Sequence, residues 1–265
     1  MKRWLPFVKS GPTVAVVRMQ GIIASGTRGG LSDQSLGPVL EKAFARGKPD
    51  AVALEINSPG GSPVQSSLIG ARIRRLSEDK NVPVLAFIED VAASGGYWLA
   101  SAADEIIADP ASVVGSIGVI SAGFGAHELI DRYGIERRVY TAGTSKSMND
   151  PFRPEKPEDV ARIKTLLDDI HGIFIDHVTT RRSSKLDTEA DLFNGEVWLA
   201  HKAQQLGLID GVGHMMPVLK DRYGDKVKIR RYGLRRPLLS RFGAHLTQDA
   251  LAAIEERAAF GRFGL

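Results

Sequence analysis

The sequence contains no cysteine among its 265 residues, and it has no long uncharged apolar run. The absence of cysteine excludes disulfides, thiolate metal sites and a cysteine nucleophile. The apolar run near the N-terminus, Trp4–Val8, is shorter than a signal-peptide core of roughly 7–15 residues or a membrane span of about 20 residues. No H-E-x-x-H or similar metal motif occurs, so we expect neither a metal nor another cofactor. These absences predict a cytoplasmic protein that is at most attached to the cytoplasmic face of a membrane.

Positive charge is concentrated near the C-terminus. The formal net charge of the chain is +4, but Lys220–His245 has nine Lys or Arg against two Asp, a net +7, which leaves the rest near −3. Such a stretch predicts contact with anionic lipid or with an acidic partner, and a solvated basic terminus is the alternative. No recognised nucleic-acid motif accompanies it, and we expect no nucleic-acid partner.

Strand-like and helix-like segments alternate along the chain, which predicts an α/β fold with a largely parallel, layered or spiral sheet. We divide the chain into an N-terminal extension (1–12), a central domain (13–219) and a basic C-terminal tail (220–265) with a predicted helix. The predicted strands are Thr13–Ile23, Ala51–Ile56, Val84–Ile88, Glu105–Ala108, Ile117–Ser121 and Arg137–Thr141. The predicted helices are Asp33–Arg46, Val64–Ser77, Gly95–Ala103, His127–Tyr133, Pro157–Arg181, Trp198–Leu206 and Thr247–Phe260.

Two glycine-rich junctions follow predicted buried strands and open predicted helices. The first, Asn57–Gly61, offers glycine amides that no side chain covers, and the second, Ala92–Gly96, places the Ser94 hydroxyl among small residues. A nucleophile at a helix start beside backbone N–H groups suits acyl transfer, because those groups stabilise the oxyanion as it forms. Each junction taken alone also fits an ordinary turn.

A serine nucleophile requires a general base, and two residue types are available. Of the six histidines, His171 and His177 lie about 240° apart around one predicted helix, and the other four have no partner carboxylate at a suggestive spacing. Lys146 follows a predicted strand and is surrounded by small residues. A lysine can accept the serine proton when burial lowers its pKa from about 10.4 towards about 7–8. By itself, Lys146 also fits an exposed loop charge.

Four motifs in order carry a resemblance to a known family. They are Asn-Ser-Pro-Gly-Gly (57–61), Ala-Ala-Ser-Gly-Gly-Tyr (92–97), Gly-Ser-Ile-Gly-Val (115–119) and Gly-Thr-Ser-Lys-Ser (143–147). From about Thr13 to Val218 the chain resembles the signal peptide peptidase A family, which consists of serine peptidases with a Ser/Lys dyad on the Clp-protease/crotonase fold. From the sequence we expect it to differ from that family in two ways, by having no N-terminal membrane anchor and by having one catalytic domain.

The resemblance implies roles for five residues of this chain. Ser94 would be the nucleophile and Lys146 the general base. The N–H groups of Gly61 and Gly95 would form the oxyanion hole, and Ser116 would orient the lysine amine. The fold implied is Clp/crotonase-like, built from repeated βαβ units, and 13–219 would be the Ser/Lys peptidase domain.

The function implied is a homo-oligomeric serine endopeptidase that cleaves short, extended, apolar peptides such as released signal-peptide remnants. The predicted strand Ile117–Ser121 would pair with the substrate backbone by β-augmentation. Two alternatives remain open at this point. One is a catalytically silent scaffold of the same fold. The other is a crotonase-type enzyme that processes acyl-CoA, which would need a carboxylate near the glycine amides.

Overall fold

The computed structural model of the chain describes residues 11–25, 30–143, 145–233 and 246–265. Within these ranges strands and helices alternate as the sequence predicts. The strands are β1 (Thr13–Gln20), β2 (Ala51–Ser58), β3 (Val84–Ala93), β4 (Glu105–Ala108), β5 (Val113–Gly115), β6 (Val197–Leu199), β7 (Gly211–Val212) and β8 (Lys228–Tyr232). The α-helices are α1 (Asp33–Ala45), α2 (Pro63–Lys80), α3 (Gly95–Ser101), α4 (His127–Arg132), α5 (Pro157–Arg182), α6 (Ala200–Gln205), α7 (Met215–Tyr223) and α8 (Leu246–Gly261).

The described strands form one sheet in the order β6-β5-β3-β2-β1-β8, and β4 joins it by pairing with β3 and with β7. Every pairing described is parallel except that between β5 and β6. Neighbouring parallel strands need crossover connections, and α1 and α2 supply them between β1, β2 and β3. The prediction of an α/β fold with a largely parallel sheet is confirmed.

Helices cover both faces of the sheet, which explains why all eight residues of β2 are buried. On one face Leu54 and Ile56 join a core with α1, α2, α3 and α5. On the other face Ala51 and Ala53 pack in a second cluster with Leu219 of α7. The carboxyl ends of the parallel strands are therefore held rigidly, and their loops form the edge at which α/β proteins place ligands.

Helix α5 packs against the short helix α3. Its residues Phe174 and Val178 are buried, whereas Leu166 and Ile173 of the same helix are exposed. The indole of Trp98 in α3 stacks between two rings of α5, with ring centroids 4.9 Å from Phe174 and 4.5 Å from His177. Stacked aromatic rings add about 0.5–1.5 kcal/mol per pair beyond area burial, so these contacts fix α3 firmly on α5.

Two predicted strands are wrong. Ile117–Ser121 and residues 137–141 lie outside strands in the structure, and β5 ends just before the first of them. The physical reason for the first is local, because the Ser116 N–H donates to the Glu196 carbonyl (2.7 Å) and no described strand lies alongside the residues that follow. The apolar pattern predicts a strand, but a strand requires a partner.

The stretch assigned to the basic tail contributes to the sheet. β8 pairs with β1 in parallel over Thr13–Val17, and the helix predicted at Thr247–Phe260 corresponds to α8. The predicted helix Trp198–Leu206 begins later than expected, because its first residues form β6 instead. Among the helices described, none is both long enough and apolar enough to cross a membrane.

Candidate active site

Ser94 occupies the turn between β3 and α3. Its backbone angles, φ +52° and ψ −122°, lie in a region that residues other than glycine rarely adopt. The turn is fixed on both sides, because the Ser94 N–H donates to the Gly115 carbonyl (2.9 Å) and the Ser94 carbonyl accepts from the Trp98 N–H (3.0 Å). The side chain is half-buried and does not cap α3. A sharp strand-to-helix turn of this kind presents a serine hydroxyl to a ligand.

Two backbone amides lie beside Ser94. A Cβ atom added to Gly95 would be 3.4 Å from the Gly61 nitrogen, and one added to Gly60 would be 2.8 Å from both the Gly95 nitrogen and Ser94 Cβ. Within the described ranges neither the Gly61 nor the Gly95 N–H donates a hydrogen bond to the protein. Adjacent N–H groups without protein acceptors are the donors that an oxyanion needs.

The loop that carries Gly61 is held in place by Ile23. The Ile23 N–H donates to the Gly60 carbonyl (2.8 Å), and the Ser62 N–H donates to the Ile23 carbonyl (2.7 Å). In such a parallel bridge the N–H of Gly61 points away from Ile23. Gly61 has φ +144°, and a Cβ there would overlap the Ile23 carbonyl oxygen, so only glycine fits without a backbone shift.

Ser116 lies next to the nucleophile turn through the backbone. It follows Gly115, whose carbonyl accepts the Ser94 N–H, and its own φ is +51°. In the part of the chain that the structure describes, no hydrogen bond joins the Ser116 hydroxyl to Lys146. The structure therefore brings the Ser116 backbone, but not its predicted contact with the lysine, to the site.

Lys146 has no described side-chain contact with the other predicted site residues. It is exposed, in a turn over residues 145–149 where its backbone N–H donates to the Gly143 carbonyl (3.3 Å). Among the residues described, no hydrogen bond or ion pair connects its side chain with Ser94 or Ser116. The burial that a lysine base requires is absent here, and the role of Lys146 stays a prediction.

The segment that carries Lys146, residues 119–156, exposes large apolar side chains. Its helix α4 has no buried residue, and Phe124 and Tyr140 are 92% and 91% exposed. Large contiguous apolar patches are rare on the surfaces of monomeric soluble proteins. The other exposed members are Ile120, Leu129, Tyr133, Ile135 and Phe152.

His177 belongs to the core and not to the reacting groups. Its ring stacks on Trp98, and Nε2 lies 3.0 Å from Ser101 Oγ and 3.2 Å from the Trp98 carbonyl oxygen. Burial lowers the pKa of His177 to about 4. His177 is thus a neutral, half-buried imidazole that is hydrogen-bonded to α3.

Sequence reasoning missed a charged cluster on the opposite face of the sheet. The buried Glu55 carboxylate accepts from Arg231 (2.7 Å) and lies 3.7 Å from the Arg18 guanidinium. Arg18 also pairs with Glu89 (3.0 Å), and burial raises the pKa of that carboxyl. No local signal predicts this cluster, because its members come from four strands. Among the residues described, no group of three or more potential ligand side chains could hold a metal ion.

A family model for Peptidase family S49 matches residues 77–226, which is more than half of the chain and includes Ser94, Ser116 and Lys146. A protein of Brucella melitensis named Na(+)/H(+) antiporter NhaA is 48% identical over 286 aligned residues, which cover 100% of this chain and 39% of that protein. The chloroplastic serine protease SPPA of Arabidopsis thaliana is 32% identical over 222 residues, which cover 80% of this chain and 32% of that protein.

The chain thus spans about a third to two fifths of the length of these relatives. Among solved structures, a mutant of the 1510-N membrane-bound stomatin-specific protease superposes with a TM-score of 0.47 at 16% identity. That superposition covers 83% of this chain and 97% of the other.

Proposed function

Because the chain belongs to peptidase family S49, we propose that it is a serine endopeptidase in which Ser94 is the nucleophile and Lys146 the general base. The observation that carries this proposal is the position of Ser94. It lies on a sharp strand-to-helix turn beside the amides of Gly61 and Gly95, and in the described chain these amides have no protein acceptor. A hydroxyl next to two such donors suits acyl transfer.

The reaction would proceed through an acyl-enzyme. The Lys146 amine takes the hydroxyl proton as Ser94 Oγ attacks the scissile carbonyl carbon, and the Gly61 and Gly95 N–H groups donate to the oxyanion. The lysine ammonium then protonates the leaving amine as the C–N bond breaks. Water, deprotonated by the same lysine, attacks the ester and releases Ser94. Ser116 would orient the amine during both steps.

For this chemistry the Lys146 amine must come within hydrogen-bonding distance of Ser94. It must also be desolvated, because only burial lowers the pKa of a lysine enough for it to act as a base near neutral pH. The apolar side chains exposed on residues 119–156 suggest how this happens. Burial of that segment between copies of the chain would remove Lys146 from solvent together with its neighbours. We therefore propose a homo-oligomer as the active form.

Short, extended, mainly apolar peptides such as signal-peptide remnants are the proposed substrates. Within the described ranges the N–H groups of Val119, Ile120 and Ser121 donate no hydrogen bond to the protein, and Ile120 and Ser121 are exposed. An extended peptide could use these groups by adding a strand to the site. This agrees with the missing strand partner of Ile117–Ser121.

We also propose a cytoplasmic location with peripheral contact to anionic membrane through the basic stretch Lys220–Arg241. Part of its charge is neutralised within the chain, because Arg222 pairs with Glu105 (2.6 Å) and Arg231 with Glu55 (2.7 Å). Residues 234–241 of this stretch lie outside the described residues. The exposed lysines of the described part are Lys220, Lys226 and Lys228.

Labelling with a fluorophosphonate tests the proposed chemistry directly, with the modified residue identified by mass spectrometry. We expect modification at Ser94 in the wild type, none in Ser94→Ala, and strongly slowed modification in Lys146→Ala. Lys164→Ala, which removes an exposed lysine of α5, is the matched control and should label like the wild type. Hydrolysis of a quenched apolar peptide should follow the same order.

Three outcomes would contradict the proposal. A wild type that neither labels nor hydrolyses peptides would favour the silent scaffold. Turnover of acyl-CoA without peptide hydrolysis would favour the crotonase-type alternative. Normal labelling of Lys146→Ala would keep the nucleophile and exclude this lysine as the base.

A further inference from the structure

His171 of α5 contacts the backbone at Ile117, two residues after Gly115, whose carbonyl accepts the Ser94 N–H. Its Nε2 lies 3.1 Å from the Ile117 carbonyl oxygen. A carbonyl oxygen only accepts, so Nε2 carries the proton and donates. The bond is well placed to be rigid, because His171 is partly buried and the Ile117 side chain is fully buried.

This hydrogen bond belongs to a series that holds residues 115–118 in place beside Ser94. The Gly115 carbonyl accepts from the Ser94 N–H (2.9 Å), the Ser116 N–H donates to the Glu196 carbonyl (2.7 Å), and the Gly118 N–H donates to the Ser116 carbonyl (2.9 Å). After the bond from α5 the backbone N–H groups of 119–121 donate to nothing in the described chain.

Helix α5 is itself tied to the helix that begins at the nucleophile. Trp98 of α3 stacks on Phe174 and His177, so the helix that bears His171 cannot shift without moving α3. One rigid element thus sets both the position of the serine turn and the position of Ile117. Residues 119–121, of which Ile120 and Ser121 are exposed, therefore begin just after a carbonyl that α5 holds in place.

We propose that His171 is a positioning residue for peptide recognition, a role that presupposes the proposed peptidase activity. By holding the Ile117 carbonyl, it sets the register of Val119–Ser121 relative to Ser94, so that a paired peptide places its scissile carbonyl at the hydroxyl. In the described chain it makes no hydrogen bond to Ser94. Its loss should weaken the use of extended peptides and leave the reactivity of the serine intact.

Two substitutions separate the hydrogen bond from the shape of the side chain. His171→Met keeps a long side chain without a donor, and His171→Gln restores an amide donor at similar reach. For His171→Met we expect kcat/KM for an extended peptide to fall roughly five- to tenfold, mainly through KM, as for the loss of one hydrogen bond. Fluorophosphonate labelling of Ser94 should stay within about twofold of wild type. His171→Gln should recover most of the peptide activity, and Asp176→Asn, an exposed site on α5, should match wild type.

Amide hydrogen exchange provides a readout besides activity. We expect faster exchange over Val119–Ser121 in His171→Met than in wild type or His171→Gln. Unchanged KM and exchange in His171→Met, equal losses of labelling and peptide hydrolysis, or no recovery in His171→Gln would each overturn the positioning role. A wild type that does not label at Ser94 would instead refute the peptidase proposal itself, before any variant is compared.

Discussion

Acidification should weaken the contact between α3 and α5 through His177. Burial lowers the pKa of His177 from 6.5 to about 4, because the half-buried ring stacks on the Trp98 indole and is partly removed from water. The unfolded chain therefore takes up a proton at this histidine at a higher pH than the folded chain does. Stability must then fall as the pH drops from about 6.5 to about 4, and it is unaffected by this group at higher pH.

The size of the effect follows from the difference between the two pKa values of His177. Each pKa unit corresponds to about 1.4 kcal/mol, so the whole transition destabilises the fold by about 3 kcal/mol. At pH 5 the folded ring is still mostly neutral and the unfolded ring mostly charged, which gives a loss of about 2 kcal/mol relative to pH 7. That is a large share of the roughly 5–15 kcal/mol by which domains are stable.

Urea unfolding at pH 7 and at pH 5 measures the loss. Carboxylates also titrate in this range, so the comparison is with His177→Gln, which keeps a hydrogen-bonding side chain facing Ser101 but cannot titrate. The wild type should lose about 2 kcal/mol more than this variant. His201→Gln, at an exposed position of α6, should lose as much as wild type. Equal losses in wild type and His177→Gln would refute the assignment of a buried neutral imidazole.

Three further predictions concern the proposed site and surface. The Ser94→Ala and Lys146→Ala variants should each abolish peptide hydrolysis with unchanged thermal melting, and the double variant should be no worse, since a dyad fails as a unit; additive losses would contradict this. Gly61→Ala should lower kcat by roughly 10²–10³-fold, because avoiding the Ile23 carbonyl displaces an oxyanion donor; normal turnover would show that this turn is only structural. Changing Lys226 and Lys228 to Gln should weaken sedimentation with anionic vesicles at low salt; equal binding, or none by wild type, would exclude the membrane contact.

The parts of the molecule that local pattern determines were predictable from sequence. The apolar runs of β2 and β3 follow from strands that are buried on both faces of one sheet. The two glycine-rich turns at Gly61 and Ser94 were predictable for the same reason, because small residues and positive φ go together in tight turns, whereas the oxyanion role of their amides stays a prediction. The match to family S49 confirms the peptidase family that the four motifs indicate.

Features that depend on distant partners were not predictable. Ile117–Ser121 has the composition of a strand, but its pairing depends on whether another strand lies beside it. The strand β8 joins the sheet next to β1 from a stretch whose charge suggests only a tail. His171 and His177 do not share a face of α5, as their separation around its axis predicts. Both are nevertheless in contact with the rest of the domain, because α5 meets α3 on one side and Ile117 on another.

The two halves of the proposed dyad differ in how they are built. Ser94 and its neighbouring amides are assembled by a strand, a turn and a helix inside a close-packed core, so a single copy holds them ready. Lys146 belongs to a segment whose apolar side chains find no core within the described chain. Burial of this segment in an interface would cover the apolar side chains and would also desolvate Lys146. Peptidase activity would accordingly depend on association, whereas the geometry of the nucleophile turn would not.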